Sequence, residues 1–300
     1  MTNATIGVLV PTYNEEANVR PLYNALKEVF DGLIPDIKFR VLFIDNDSKD
    51  QTRDILMQLA REHKEVSCIF NERNYGANRS LFHGILECPG DAVIMMCADF
   101  QDPPHLIPEF VEKWQNGHPV VMAKKSNSNE HFGYKVLRKS YYKILGFSHP
   151  MYKDVDGCTG YGIYDRTVLD KLKTVNDKTP FFRGLVAEFC SSIEHIRYTR
   201  PTRAAGRSSM NLYRLWDEGI VGLINNSQIG IRIIAFLGFT FAMTALTTAV
   251  VVLTLKLFYW EQFLLGILPI ILIQIFSLGC VMFAIGLLGE YVCGIYTQVL

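Results

Sequence analysis

The sequence predicts an α/β fold, a mostly parallel sheet with helices on both faces, followed by amphipathic and then membrane-spanning helices. Three observations predict it. Short unbroken apolar runs alternate with segments of helical period as far as Lys124. Three of those runs stop abruptly in polar or acidic residues. Finally, charge almost disappears late in the chain: from Ile233 to Leu300 the only formal charges are Lys256, Glu261 and Glu290.

Thr5 to Val10 reads as a first buried strand, interrupted by Pro11-Thr12-Tyr13-Asn14. Asn14 is placed to cap a helix from Glu15 to Phe30, with Val19, Leu22, Leu26 and Val29 on one stripe. Arg40 to Ile44 is a second strand ending at Asp45-Asn46-Asp47-Ser48. A helix from Asp50 to Glu62 leads to a third strand, Val66 to Phe70, and Asn74 to Cys88 reads as a helix entered through Tyr75-Gly76. Ala92 to Met96 is an apolar run suited to a strand covered on both faces. It ends in Asp99, Gln101 and Asp102, and Pro103-Pro104 forbids its continuation. A helix from Pro104 to Trp114 and a strand from Val120 to Lys124 follow.

Composition excludes several classes. The 300 residues carry a formal net charge of +0, without the basic excess that nucleic-acid binding needs. The seven cysteines form no Cys-x-x-Cys pair, and the histidines lack metal-ligand spacing, so neither a disulfide frame nor a zinc site is expected. Thr5 to Val10 is too short for a signal peptide. No Gly-x-Gly-x-x-Gly follows the first strand and there is no Walker loop, which removes dinucleotide folds and P-loops.

Ligands of an open parallel sheet bind beyond the carboxyl ends of its strands. The ends at Pro11–Glu16, Asp45–Asp47 and Asp99–Asp102 should therefore lie along one edge. Polar groups of the first two would grip a base and ribose. The oxygens of Asp99 and Gln101 suit Mg²⁺ or Mn²⁺ held against a diphosphate. The competing expectation is that Asp99 and Asp102 only cap the helix beginning at Pro104.

Val10-Pro11-Thr12-Tyr13-Asn14-Glu15-Glu16, Ile44-Asp45-Asn46-Asp47-Ser48-Lys49-Asp50-Gln51-Thr52 and Asp99-Phe100-Gln101-Asp102-Pro103-Pro104 resemble the inverting family 2 glycosyltransferases. Arg73-Asn74-Tyr75-Gly76 and the segment Arg200 to Ser208 are similar to the polyprenyl-phosphate sugar transferases within that family. The resemblance implies a GT-A nucleotide-sugar domain and a glycosyltransferase acting on a nucleotide-sugar donor, UDP favoured, and a polyprenyl phosphate acceptor. It implies that Pro11, Tyr13, Glu15, Asp45, Asn46, Asn74, Gly76 and Asp99 contact the donor and that Asp99 and Gln101 hold the metal. Arg200 and Arg203 would lie over the phosphates.

The chain also departs from that pattern. Asp45-Asn46 stands for a pair of Asp residues, Cys97-Ala98-Asp99 for Asp-Ala-Asp, and Gly160 for an Asp offered as a base. Asp156, four residues earlier, is the candidate substitute. A lipid phosphate, with a second pKa of about 6, is already an anion at neutral pH and needs little help from a base. The alternatives are a family 2 synthase with another acceptor and an inactive nucleotide-sugar-binding membrane module.

Lys124 and Arg138 are basic residues suited to seat the acceptor phosphate, or simply part of a solvated face. Two apolar runs, about 229–257 and 263–288, each exceed the roughly 20 residues that span a bilayer. The expected organisation is a catalytic domain over 1–208, a juxtamembrane amphipathic segment over 209–228 and a two-helix anchor over 229–300. Basic residues from Arg197 to Arg232 precede the first span, which puts the catalytic domain on the cytoplasmic face of the cell membrane. The membrane helices are where a homo-oligomer would form.

Overall fold

The computed structural model describes residues 4–33, 37–126, 155, 157–175, 180–190 and 192–201, with single helical positions between 240 and 295. The chain divides into two units, Met1–Gly146 with Pro150–Leu212, and Phe147–His149 with Tyr213–Leu300.

The first unit is built on seven strands: β1 (Thr5–Thr12), β2 (Lys38–Asp45), β3 (Val66–Phe70), β4 (Ala92–Met95), β5 (Val120–Lys125), β6 (Cys158–Asp165) and β7 (Glu194–Tyr198). They lie in the order β3-β2-β1-β4-β6-β5-β7. Only β6 runs antiparallel to its neighbours, so the other six strands all point the same way. Their carboxyl ends, together with the start of β6, share one edge. The first five strands are those expected. Strands β6 and β7 escape a periodicity reading because Cys-Thr-Gly-Tyr-Gly-Ile-Tyr-Asp and Glu-His-Ile-Arg-Tyr are neither plain apolar runs nor clean alternations.

The helices are α1 (Val19–Leu33), α2 (Thr52–Glu62), α3 (Ala77–Glu87), α4 (Ile107–Gln115), α5 (Arg166–Leu172) and α6 (Phe182–Phe189). Helix α1 buries Val19, Leu22, Tyr23, Leu26 and Phe30 in one core with Ile6, Val8 and Val10 of β1 and with Leu56 and Leu59 of α2. Each such fully buried Leu contributes about 1.5–3 kcal/mol. Helix α3 packs against the opposite face, where a Cβ on Gly84 would stand 2.7 Å from Leu9 Cδ1 and 3.0 Å from Ile44 Cγ2. Both faces of the central strands are thus covered, which is why β4 is uniformly apolar.

Two local expectations are corrected. Asn14 does not cap α1, which begins only at Val19; its backbone is left-handed, with φ 56°. The residue is spent across the sheet edge instead. Asn14 N donates to Ser48 Oγ at 2.8 Å, and Asn14 Oδ1 accepts from Lys49 N at 2.8 Å. The helix from Pro104 is a 3₁₀ turn, Pro104–Leu106, before α4, and its first residue is preceded by Pro103 with no side-chain cap. Neither Asp99 nor Asp102 caps it.

The second unit contributes helical positions whose side chains are exposed and apolar, among them Val251, Leu257, Phe258, Val281, Ile285 and Ile295. Among the described residues no helix is long and apolar enough to cross a membrane.

Gly162 sets how tightly β6 lies between β4 and β5. A Cβ there would fall 2.3 Å from Val121 O and 2.9 Å from Met122 Cα, both backbone atoms that cannot step aside. Gly162→Ala should therefore cost about 3 kcal/mol or more and lower the melting temperature of the purified chain by about 5–10 °C. A melt within a degree of wild type, followed by circular dichroism, would contradict this packing.

Candidate active site

Among the described residues three non-glycine residues take positive φ, and each sits past a strand on the shared edge: Asn14 (56°) after β1, Asp47 (68°) after β2 and Phe100 (61°) after β4. Asn and Asp tolerate this region, but a bulky Phe is strained there. The backbone is bent at the place where the strand ends bring their polar groups together.

At the β1–β2 end, Asp45 is fully buried. Its Oδ2 accepts from Arg53 Nε at 2.7 Å and Ser48 N at 3.1 Å, and Oδ1 accepts from Ser48 Oγ and, at 3.5 Å, from Thr12 Oγ1. Arg53 in turn donates to Asn71 O and lies over the Phe70 ring, 5.6 Å from its centroid. Glu15 is buried, its Oε2 accepting from Asn18 Nδ2 at 2.5 Å, and its backbone N donates to Thr52 Oγ1. Pro11 is half-buried, while Tyr13 and Tyr75 expose their rings on this side.

Asn46 organises the next loop. Its Oδ1 accepts from Asn71 Nδ2 at 3.1 Å and Tyr75 N at 3.0 Å, and its Nδ2 donates to Asn74 Oδ1 at 2.9 Å. Asn74 Oδ1 also accepts from Gly76 N, whose residue has φ 85°. The amide both donates and accepts here, which a carboxylate cannot do. The departure Asp45-Asn46 therefore has a structural reason: the loop carrying Asn74 and Gly76 needs an amide to hold it.

The acidic turn after β4 carries two buried carboxylates, Asp99 and Asp102. Asp99 Oδ1 accepts from Gln101 N at 3.1 Å, across the left-handed Phe100, and Gln101 is half-buried on the same turn. Asp102 points inward. Its Oδ2 accepts from Cys97 N at 2.9 Å and its Oδ1 from Tyr198 OH at 3.3 Å, at the end of β7. Burial raises the Asp102 pKa, with the bond from Cys97 N and the charge of Arg200 opposing it. Burial and the nearby charges of Asp102 and Asp99 push the Cys97 thiol well up. Arg200, two residues beyond β7, has a buried Nε with no hydrogen-bond partner. A buried guanidinium N–H left open at a ligand edge calls for an anionic oxygen. Asp99 and Gln101 supply two hard oxygen donors, a set that fits Mg²⁺ or Mn²⁺ completed by the oxygens of a bound diphosphate and water.

Beyond β4, Lys124 lies at the end of β5, its Cε and Cγ each 3.7 Å from where a Cβ on Gly157 would be. Gly160 has φ 90°, and the space of its missing side chain is taken by Met95 Cε, 2.6 Å from an ideal Cβ. Sequence reasoning passed over the contacts that Asp102, Tyr198 and Arg53 make at this edge. Asp102 was visible beside Asp99, whereas the other two reach the edge only through folding. Asp156, Arg138 and Arg203 lie outside the described residues.

The family described as Glycosyl transferase family 2 matches residues 7–173. The chain is 31% identical over 300 residues to the SfII prophage-derived bactoprenol glucosyl transferase of Shigella flexneri, with 98% of this chain and 94% of that protein covered. It is 31% identical over 293 residues to an uncharacterized glycosyltransferase of Bacillus subtilis (strain 168), with coverage of 97% and 89%. Among solved structures, glucosyl-3-phosphoglycerate synthase from Mycobacterium tuberculosis, in complex with Mn²⁺, UDP and glucosyl-3-phosphoglycerate, superposes with a TM-score of 0.55 at 17% identity. That match covers 74% of this chain and 80% of the other and shows a shared GT-A-like fold.

Asn46→Asp should remove the donor to Asn74 and destabilise the chain by about 1–3 kcal/mol, with faster proteolytic cleavage in the exposed stretch 72–79. Unchanged melting and unchanged cleavage would show that the amide is dispensable. Asp102 predicts a pH dependence. Its native pKa is raised, so the contribution is complete at acid pH, below the ordinary aspartate value, and is lost as pH rises through the raised native value. Asp102→Asn cannot titrate, so melting profiles of the two chains should converge towards acid and diverge above the ordinary aspartate range, to the wild type's disadvantage. Parallel profiles from pH 4 to 8 would overturn this assignment.

Proposed function

The chain belongs to glycosyl transferase family 2, and from that premise we propose that it transfers a sugar from a UDP-linked donor to a polyprenyl phosphate, with inversion at the anomeric carbon. The observation that carries the proposal is the meeting of Asp99, with Gln101 on the same turn, and Arg200, whose buried Nε lacks a partner, on the edge that also carries Tyr13 and Asn46. The bactoprenol glucosyl transferases, similar over nearly the whole chain, support the choice of acceptor.

In this reading the nucleoside lies across the β2–β1 ends, against Pro11, Tyr13 and the loop of Asn74 and Gly76. Glu15, Asp45 and Asn46, whose side chains bind neighbouring loop groups, shape that surface. The diphosphate reaches Asp99 and Gln101, which would hold a divalent cation that neutralises charge on the departing nucleoside diphosphate. Arg200 donates to the same phosphates, with Arg203 following it in sequence. An oxygen of the acceptor phosphate forms the bond to the anomeric carbon while the bond from that carbon to the donor's phosphate oxygen breaks. Because the acceptor phosphate is already an anion at neutral pH, alignment matters more than proton removal. A carboxylate at position 160 is not required, and Asp156 is the nearest acidic residue in sequence.

The proposal extends to the membrane. The runs 229–257 and 263–288 span the bilayer as two helices, 209–228 lies at the interface, and the catalytic domain over 1–208 faces the cytoplasm. The exposed apolar helical residues of the second unit support this reading. Anchoring would also raise the local concentration of a lipid-linked acceptor.

Membranes carrying the chain, supplied with polyprenyl phosphate and a panel of radiolabelled UDP- and GDP-sugars, should form a labelled glycolipid only when Mg²⁺ or Mn²⁺ is present. Asp99→Ala should reduce that transfer by about a thousandfold or more, since several kcal/mol of charge stabilisation would be lost. Near-normal turnover by Asp99→Ala would sink the metal assignment. Label appearing in no phosphate-linked lipid would sink the acceptor.

A further inference from the structure

We infer that Arg183, in the first turn of α6, is a binding residue for the phosphate of the acceptor, working across the segment Gly157–Gly160 from Lys124. The inference rests on the acceptor reading above and names a residue that neither the motifs nor the sheet edge alone points to.

Arg183 is held in place before any ligand arrives. Its Nη1 donates to Cys158 O at 2.7 Å, and its guanidinium lies over the Phe181 ring, 5.3 Å from the centroid. That single hydrogen bond leaves most of its N–H donors unused. Among the described residues no carboxylate forms an ion pair with it, and none forms one with Lys124. A half-buried cation without a counter-charge is costly unless an anion comes to it.

The two cations are held to the same short segment. Gly157 and Gly160 both have positive φ, 79° and 90°, so other residues fit poorly. Lys124 runs alongside Gly157, 3.7 Å from its ideal Cβ, and the stem of Arg183 runs alongside Gly160, with Cγ at 3.8 Å. Lys124 also pairs with Cys158 in the β5–β6 register, the residue whose carbonyl accepts from Arg183. Two half-buried positive side chains converging on one segment suit a compact anion such as a phosphate monoester.

Sheet order places this site close to the acidic turn. The strand sequence β1-β4-β6-β5 takes the edge past Asp99, after β4, to the start of β6 and the end of β5, where Arg183 and Lys124 stand.

Full-length chain in detergent micelles would be titrated calorimetrically with citronellyl phosphate, citronellol and UDP. Wild type should bind citronellyl phosphate and not citronellol. Arg183→Gln should weaken citronellyl phosphate by about tenfold or more, the loss expected for a charge-assisted hydrogen bond, while UDP affinity stays at the wild-type value and certifies the fold. Arg183→Lys should recover part of the loss, and Lys124→Gln gives an independent variant should Arg183→Gln fail to bind UDP. Equal affinity for citronellyl phosphate in wild type and both Gln variants overturns the inference and leaves the acceptor reading standing. Weakened UDP with unchanged citronellyl phosphate overturns it by assigning Arg183 to the donor. No binding of citronellyl phosphate by wild type overturns the acceptor reading and the inference together.

Discussion

A buried carboxylate, Asp102, is the constraint on which the ligand edge depends. It takes a proton-donating contact from Cys97 N, just past β4, and another from Tyr198 OH, at the end of β7. Tyr198 OH also lies 3.4 Å from Thr159 Oγ1 on β6. Asp102 and Tyr198 together thus tie the ends of three strands that come from distant parts of the chain. Burial penalises its charge, and the hydrogen bond from Cys97 N and the field of Arg200 offset part of that penalty. Asp99, also buried, accepts from Gln101 N across the left-handed Phe100, a backbone conformation that is strained for a bulky side chain.

Charge is distributed unevenly along the same edge. Negative groups are gathered at β2 and β4, and positive ones at β5, α6 and beyond β7. Asp45 is neutralised by Arg53 inside the protein and takes part in architecture, whereas Arg200 keeps a buried N–H unpaired. An acidic turn able to hold a cation, with guanidinium groups nearby, is an arrangement in which a diphosphate can shed its charge without water. The family's transferase chemistry needs little more than this and correct alignment of the acceptor.

The departures from the family pattern are accommodated rather than merely tolerated. Asn46 replaces a carboxylate because the loop over 71–76 asks for a donor and two acceptor contacts at that point. Cys97 replaces another, and burial with the charges of Asp102 and Asp99 pushes its thiol well up. Gly160 replaces a third, and Met95 occupies the space its side chain would need.

Taken by itself, the sequence determined the alternation of strands and helices through β5, the covering of the central strands on both faces, and the three polar strand ends. These follow from local periodicity and from proline and glycine punctuation, which act over a few residues. Asp99, Gln101, Tyr13 and Asn46 were legible for the same reason: they stand immediately after apolar runs. Only the tertiary structure decided that β6 runs backwards between β4 and β5, because pairing direction is set by long-range hydrogen bonding and not by composition. It also decided that Asn14 binds the β2–α2 turn and does not cap a helix, that Asp102 meets Tyr198, and that Arg183 and Lys124 flank two glycines. Those contacts join residues 23 to 96 positions apart, and no local pattern encodes which of many polar side chains will find each other across such distances.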